Sequence, residues 1–333
     1  MNLYRFLKNR VAQSILFFLF TSFTMVAQKL VAQKPMLVQR TTILMGSVFQ
    51  ITIVHEDSLK AETYIDTAIA EIERIENLLS EWQDYTTIAK VNAAAGQEPI
   101  KVEKEVFEIT QRAINYSKLS NGAFDISIVA MDKIWQFDGS MYEMPPAHLI
   151  AQSVEKVGFE KIILDSLQQT IFLSQAGMKI GFGAIGKAYA ADKARIILKN
   201  KGIKSGIINA SGDIATWGKQ PNGKPWKIGI RNPFIRHGIA KVLKFKEAAV
   251  ATSGAYEKYA EIEDKRYGHI INPKTGMPST GLTSVTIYGP STEFCNFLST
   301  SIMVLGYKEG KKLLKKYKAY KGLFIDDEGK ILY

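Results

Sequence analysis

The stretch KIGFGAIGKAYAADKARIILKNKGIKSGIINASGD, residues 179–213, holds the passage from helix to sheet on which the fold class turns. Gly181, Gly183 and Gly186 crowd its start. From Ile185 to Leu198 the apolar residues recur at helical spacing, and Gly202 ends the run. Ile207-Ile208 then opens a strand-like segment that closes in small residues, Asn209-Ala210-Ser211-Gly212-Asp213.

Working outward, Ile207 to Tyr288 reads as short strands between turns such as Pro221-Asn222-Gly223 and Asn272 to Gly276. Upstream, Leu59 to Leu79 carries Ile65, Ile69, Ile72, Ile75, Leu78 and Leu79 at helical spacing, with Ser58 placed to cap it. Glu105 to Leu119 is a second amphipathic helix, closed by Ser120-Asn121-Gly122, and Leu149 to Val157 is helix-like after Pro145-Pro146. Lys161–Leu164 and Thr170–Leu173 suggest a hairpin, and Thr42 to Val54 one strand broken by Gly46. Helices resume at Thr292–Leu305 and Lys308–Tyr317, and a last strand ends at Tyr333. Long helices around a central run of strands predict an α+β fold with mixed or antiparallel strands. With no internal repeat and no low-complexity linker, one compact, bilobed unit is expected.

The 333 residues are 46% hydrophobic and 23% charged, a composition that excludes disorder and collagen-like repeats. A single cysteine, Cys295, excludes an internal disulfide and a cysteine-based metal cluster. Arg5, Lys8 and Arg10 precede the apolar core Ile15 to Phe20, which reads as an export signal over residues 1–28. Residues 29–40 are then an N-terminal extension and 41–333 the folded domain. The expected location is the periplasm or cell envelope, with retention at the inner membrane if the segment stays attached. The net charge of +11 is partly local: Lys311, Lys312, Lys315, Lys316, Lys318 and Lys321 crowd one stretch. That run is a solvated helix face or a contact for an anionic membrane surface. No nucleic-acid motif accompanies it, so no nucleic-acid partner is expected.

Several segments have the residue types for chemistry. Gly181, Gly183 and Gly186 let backbone approach a phosphate at a helix N-terminus, where Lys187 adds a positive charge; tight packing explains the glycines equally well. Asp125, in Gly122-Ala123-Phe124-Asp125, is either a ligand contact or a cap for the next turn. His269 stands before the turn Ile270-Ile271-Asn272-Pro273-Lys274-Thr275-Gly276, as a proton acceptor or a structural histidine. Asn296 and Thr300 share one face of a late helix and offer oxygen, which suits a hard cation, or are plain helix-surface residues.

Taken in order, these segments resemble the FAD:protein FMN transferase family, the ApbE-type flavin transferases. Met45-Gly46-Ser47 resembles the family's Met-Gly-Thr strand, and Ser80-Glu81-Trp82 with Ile88 to Asn92 its Ser-x-aromatic and Ile-x-x-x-Asn segment. Gly122 to Asp125 with Trp135, Gly183 to Lys187, Asn209 to Asp213, Thr252-Ser253-Gly254, the His269 to Gly276 turn and the Leu298 to Gly306 helix follow in sequence.

The resemblance implies an exported enzyme that moves FMN from FAD to a threonine hydroxyl of an exported target protein, releasing AMP, with Mg2+ assisting. It implies FAD contacts from Met45, Trp82, Ala123, Phe124, Asp125, Gly181, Lys187 and Ile271. It makes His269 the base, with Lys187 beside the diphosphate, and gives Mg2+ the backbone carbonyl of Ala184 with Asn296 and Thr300. Three positions depart from the family pattern. Asn296 stands for a usual Asp, Gly181 for a common Asp, and Ala188 for a usual Gly. Loss of the carboxylate at 296 predicts weaker Mg2+ binding. It opens two alternatives: an FAD-binding protein with weak or no transfer, and a hydrolase giving FMN and AMP.

Overall fold

The computed structural model describes residues 34–332; the expected export signal lies outside them. Its frame is an eight-stranded sheet: β1 (Met36–Leu44), β2 (Ser47–His55), β3 (Gly206–Ala210), β4 (Asp213–Trp217), β5 (Ala248–Gly254), β6 (Ser284–Gly289), β7 (Lys321–Ile325) and β8 (Ile331–Leu332). Spatial order follows chain order, and every neighbouring pair is antiparallel. The sheet is thus a meander whose connections carry the rest of the molecule.

The longest connection, between β2 and β3, holds α1 (Ser58–Leu79), α2 (Thr87–Ala93), α3 (Lys104–Leu119), α4 (Ala147–Ser153) and α5 (Gly186–Asn200). It also holds the hairpin Ile162–Asp165/Thr170–Leu173, joined at its edge by Ile100–Lys101. α6 (Thr292–Lys315) links β6 to β7. Helices α1, α5 and α6 cover one sheet face. α1 does so because Ala61, Ile65, Ala68, Ile72, Ile75 and Leu79 form one buried stripe. The hairpin Trp226–Arg231/Ile239–Phe245 covers the other face with Ile228, Ile230 and Leu243, against Val250, Leu323 and Ile325.

The α+β class is as expected, and two local readings are corrected. Thr42 to Val54 is not one strand but the hairpin β1–β2, and β1 starts at Met36, inside the stretch read as an extension. Its turn is Met45-Gly46, both at positive φ (50° and 63°), the backbone twist that suits a two-residue hairpin. Asp57 caps α1, accepting from Leu59 N–H and Lys60 N–H; Ser58 is the first helical residue. The two expected C-terminal helices are present as the halves of α6, which break at Gly306 (φ 74°, ψ 172°).

Candidate functional site

Two two-residue turns and the start of α5 face the same region. Met45, in the β1–β2 turn, is held by its N–H donating to Glu76 Oε2 at 2.8 Å. Its Sδ-methyl lies against Gly186, where a Cβ would stand 3.3 Å away. The β3–β4 turn is Ser211-Gly212, again with positive φ at both residues (53° and 103°), tied by Gly212 N–H to Asn209 Oδ1 at 2.9 Å. That turn delivers Asp213, the first residue of β4, into the interior.

Asp213 accepts from Asn296 Nδ2 through both carboxylate oxygens, at 3.1 and 3.0 Å. Burial drives its pKa up to about 7, against the opposing pull of the Asn296 hydrogen bond and the charge of Lys187. Asn296 Oδ1 is buried with no partner. A buried acceptor left unsatisfied costs about 1–3 kcal/mol, so this atom marks a place where a ligand fits. Thr300, one turn on, shares a 3.2 Å hydrogen bond with Ser253 Oγ, which also meets Ser299 Oγ at 2.8 Å. The start of α6 is itself clamped by Asp192 of α5. That carboxylate accepts from Ser291 Oγ, Thr292 N–H, Thr292 Oγ1 and Glu293 N–H.

Asn296 Oδ1 and Thr300 Oγ1 are neutral oxygens one helical turn apart, the first orphaned, with the Asp213 carboxylate on the far side of its amide. Such donors fit a hard cation. Among the described residues no three His, Cys, Asp or Glu side chains gather as a metal cluster.

Lys187 lies in the first turn of α5, its amine donating to Gly183 O at 3.5 Å. Its charge acts on Asp213 and on His269 alike. His269 directly follows the strand Lys265–Gly268, and its N–H donates to Lys258 O at 3.0 Å. Solvent reaches it, yet enough protein surrounds it for desolvation to lower its pKa, helped by the charges of Lys258 and Lys187. The turn that follows is pinned at Gly276 (φ 71°), where a Cβ would meet Ile150 O at 2.7 Å. Trp135 Nε1 donates to Gly276 O at 2.9 Å. Ile271 belongs to the small cluster built on Trp135, Ile150, Ala260 and Ile262. Across from this turn, Gly122 abuts Lys274: a Cβ there would stand 2.9 Å from its Cε.

The remaining expected contacts divide. Trp82 is 79% exposed beyond the end of α1, with Lys133 Nζ 5.8 Å from its ring centre, so it is available to a ligand. The Phe124 ring is 1% exposed and packs edge-on against Tyr116 and Phe297. That side chain is core, so with buried Ala123 a ligand reaches this segment through its backbone. The Asp125 carboxylate is engaged by Ser127 N–H, Ser127 Oγ and Phe159 N–H, so the capping reading of the sequence is the one present. Gly181 is also inward: its N–H donates to Ile126 O at 2.9 Å, and a Cβ would stand 2.9 Å from Glu81 Oε1. Asn92 fixes the same strip, donating to Ile180 O and accepting from Ile180 N–H.

Sequence reasoning named Asp213 only as the end of a small-residue strand and missed the work of Asp192 and Ser253. Their partners lie far along the chain, so no local spacing signals them.

A family model described as the ApbE family matches residues 45–324. The chain is 28% identical over 305 residues to the FAD:protein FMN transferase of Treponema pallidum, covering 86% of this chain and 83% of that protein. It is 29% identical over 287 residues to one from Klebsiella pneumoniae, covering 86% and 88%. Among solved structures, the ApbE protein of Thermotoga maritima matches with TM-score 0.80 and 26% identity, over 89% of this chain and 96% of that one. The apo flavinyl transferase ApbE of Pseudomonas stutzeri gives TM-score 0.77 and 26% identity, over 89% and 93%. Matched over most of its length in sequence and in fold, this chain belongs to the ApbE family.

Proposed function

We propose that the chain is an exported flavin transferase. It takes FAD as donor, moves the FMN half to a threonine hydroxyl of an exported acceptor protein and releases AMP, with Mg2+ as the assisting cation. Kinship with proteins named FAD:protein FMN transferase supports the general reaction. The observation that carries the reading is that Asn296 Oδ1 is buried without a partner beside the Asp213 carboxylate, with Thr300 one helical turn on. Lys187, in the first turn of α5, and His269 complete this reading as the cationic side chain and the base.

The transfer balances as a phosphoryl displacement. The threonine oxygen forms a bond to the phosphorus of the FMN half as that phosphorus loses its bridging oxygen. The bridging oxygen leaves with its electron pair on AMP, and the hydroxyl proton passes to His269. His269 suits this role because its lowered pKa keeps the ring neutral at pH 7. Lys187 offsets charge on the diphosphate. Ala184 O, Asn296 and Thr300 would hold the cation, which supplies further charge stabilisation to the diphosphate. Trp82 and the 122–125 backbone are the flavin-side contacts of this reading.

The purified chain, given FAD, Mg2+ and an acceptor domain, is expected to leave covalent in-gel flavin fluorescence; a blank gel with a verified acceptor defeats the transferase reading. Asn296, lacking the usual carboxylate, favours a second reading in which the chain binds FAD with weak or no transfer; a third reading is hydrolysis of FAD to FMN and AMP, with water in place of threonine. Free FMN counted against protein-bound FMN separates hydrolysis from transfer. Export rests on residues 1–28, and a fusion of that segment to a periplasm-dependent reporter tests it.

A further inference from the structure

We propose that Asp213 is a positioning residue for the cation corner: it fixes the Asn296 amide so that only its oxygen faces the corner. The proposal rests on the cation reading given above. Asn296 Nδ2 lies 3.1 and 3.0 Å from the two carboxylate oxygens of Asp213. Rotating the amide by half a turn would set oxygen against carboxylate, acceptor against acceptor. The carboxylate therefore dictates which amide atom is presented, and the presented Oδ1 is buried without a partner.

Asp213 cannot drift away from this task. It opens β4 directly after the two-residue turn, paired with Ala210 in the β3–β4 register, and is 6% exposed. The hydrogen bonds from Nδ2 also polarise the amide so that Oδ1 gains electron density. Thr300 is braced likewise, by Ser253 of β5. Each helix ligand of the corner is backed by a strand residue.

The test is Mn2+ binding by the full chain, followed by calorimetry with and without FAD, with circular dichroism reporting the fold. Wild type is expected to bind Mn2+, and Asn296→Ala to lose at least tenfold in affinity. Asp213→Asn is expected to lose at least fivefold while folded. The exchanged pair, Asp213→Asn with Asn296→Asp, keeps one amide against one carboxylate and is expected to bind at least as tightly as wild type. Asp213→Asn within twofold of wild type, while Asn296→Ala has lost binding, overturns the positioning role alone. So does an exchanged pair no better than Asp213→Asn. Asn296→Ala binding like wild type, or no binding by wild type even with FAD, removes the corner itself and the proposal with it. Should Asp213→Asn not fold, the exchanged pair decides: wild-type affinity supports the proposal, and an unfolded or non-binding protein overturns it.

Discussion

Ser211 sits at φ 53°, in the left-handed region, where a side chain is strained and glycine is not. It stands in the β3–β4 turn that delivers Asp213. Ser211→Gly is expected to stabilise the chain by about 1 kcal/mol, read as a higher urea midpoint; an unchanged or lower midpoint would show that the serine makes compensating contacts. Gly181 presents the opposite case. A carboxylate placed there meets Glu81, whose own pKa is already raised by burial. Gly181→Asp is expected to cost about 1–3 kcal/mol through overpacking and like charge. Adding Glu81→Gln should recover part of that loss in the same melt. His269 makes a prediction in pH. Its folded pKa lies below 6.5 because desolvation disfavours the imidazolium, so the neutral base persists into mild acid. The acidic limb of kcat/KM should have its midpoint below pH 6.5, and His269→Ala should remove that limb along with most of the rate. A limb above 6.5 would mean that some other group is the base.

At the scale of elements, α6 carries two unlike halves separated by Gly306. A backbone at φ 74°, ψ 172° is nearly exclusive to glycine, so Gly306→Ala should lower stability by about 1–3 kcal/mol, measured by thermal unfolding. Far-UV dichroism would show whether the helix content is kept. The break had been legible as two helices because Leu305-Gly306 interrupts the apolar rhythm. The helical stripe of α1 was legible for the same reason: Ile65, Ile72 and Ile75 recur on one face. The β1–β2 turn was not, because Met45 at positive φ has no sequence signature, and Gly46 alone reads equally as a flaw in one strand. At the site, the segments were readable and their directions were not. Phe124 looked like a ligand contact, but Tyr116 and Phe297 draw its ring inward. Asp213 became visible only once α6 was laid across β4.

At the scale of the whole molecule, the C-terminal lysines gather around a hollow. Lys311, Lys315, Lys318 and Lys321 ring a hollow floored by Leu314, Tyr317, Tyr320 and Phe324. Cationic rim and apolar floor suit an anionic bilayer surface, where each lysine contributes about 1 kcal/mol. Sedimentation with phosphatidylglycerol vesicles should retain the chain, and neutral phosphatidylcholine vesicles should not. The triple change Lys315→Glu, Lys318→Glu and Lys321→Glu should release it from the acidic vesicles; equal retention of both proteins would leave the lysines as solvated surface.

Because the strands follow one another across the sheet, β1 and β7 lie six spacings apart, about 29 Å at about 4.8 Å each. That exceeds the ionic screening distance of about 8 Å threefold. An anionic surface met by the lysines around β7 would therefore be screened from β1, on the far side of the sheet. The β1–β2 turn that carries Met45 would then meet an approaching protein outside the reach of that surface's charge.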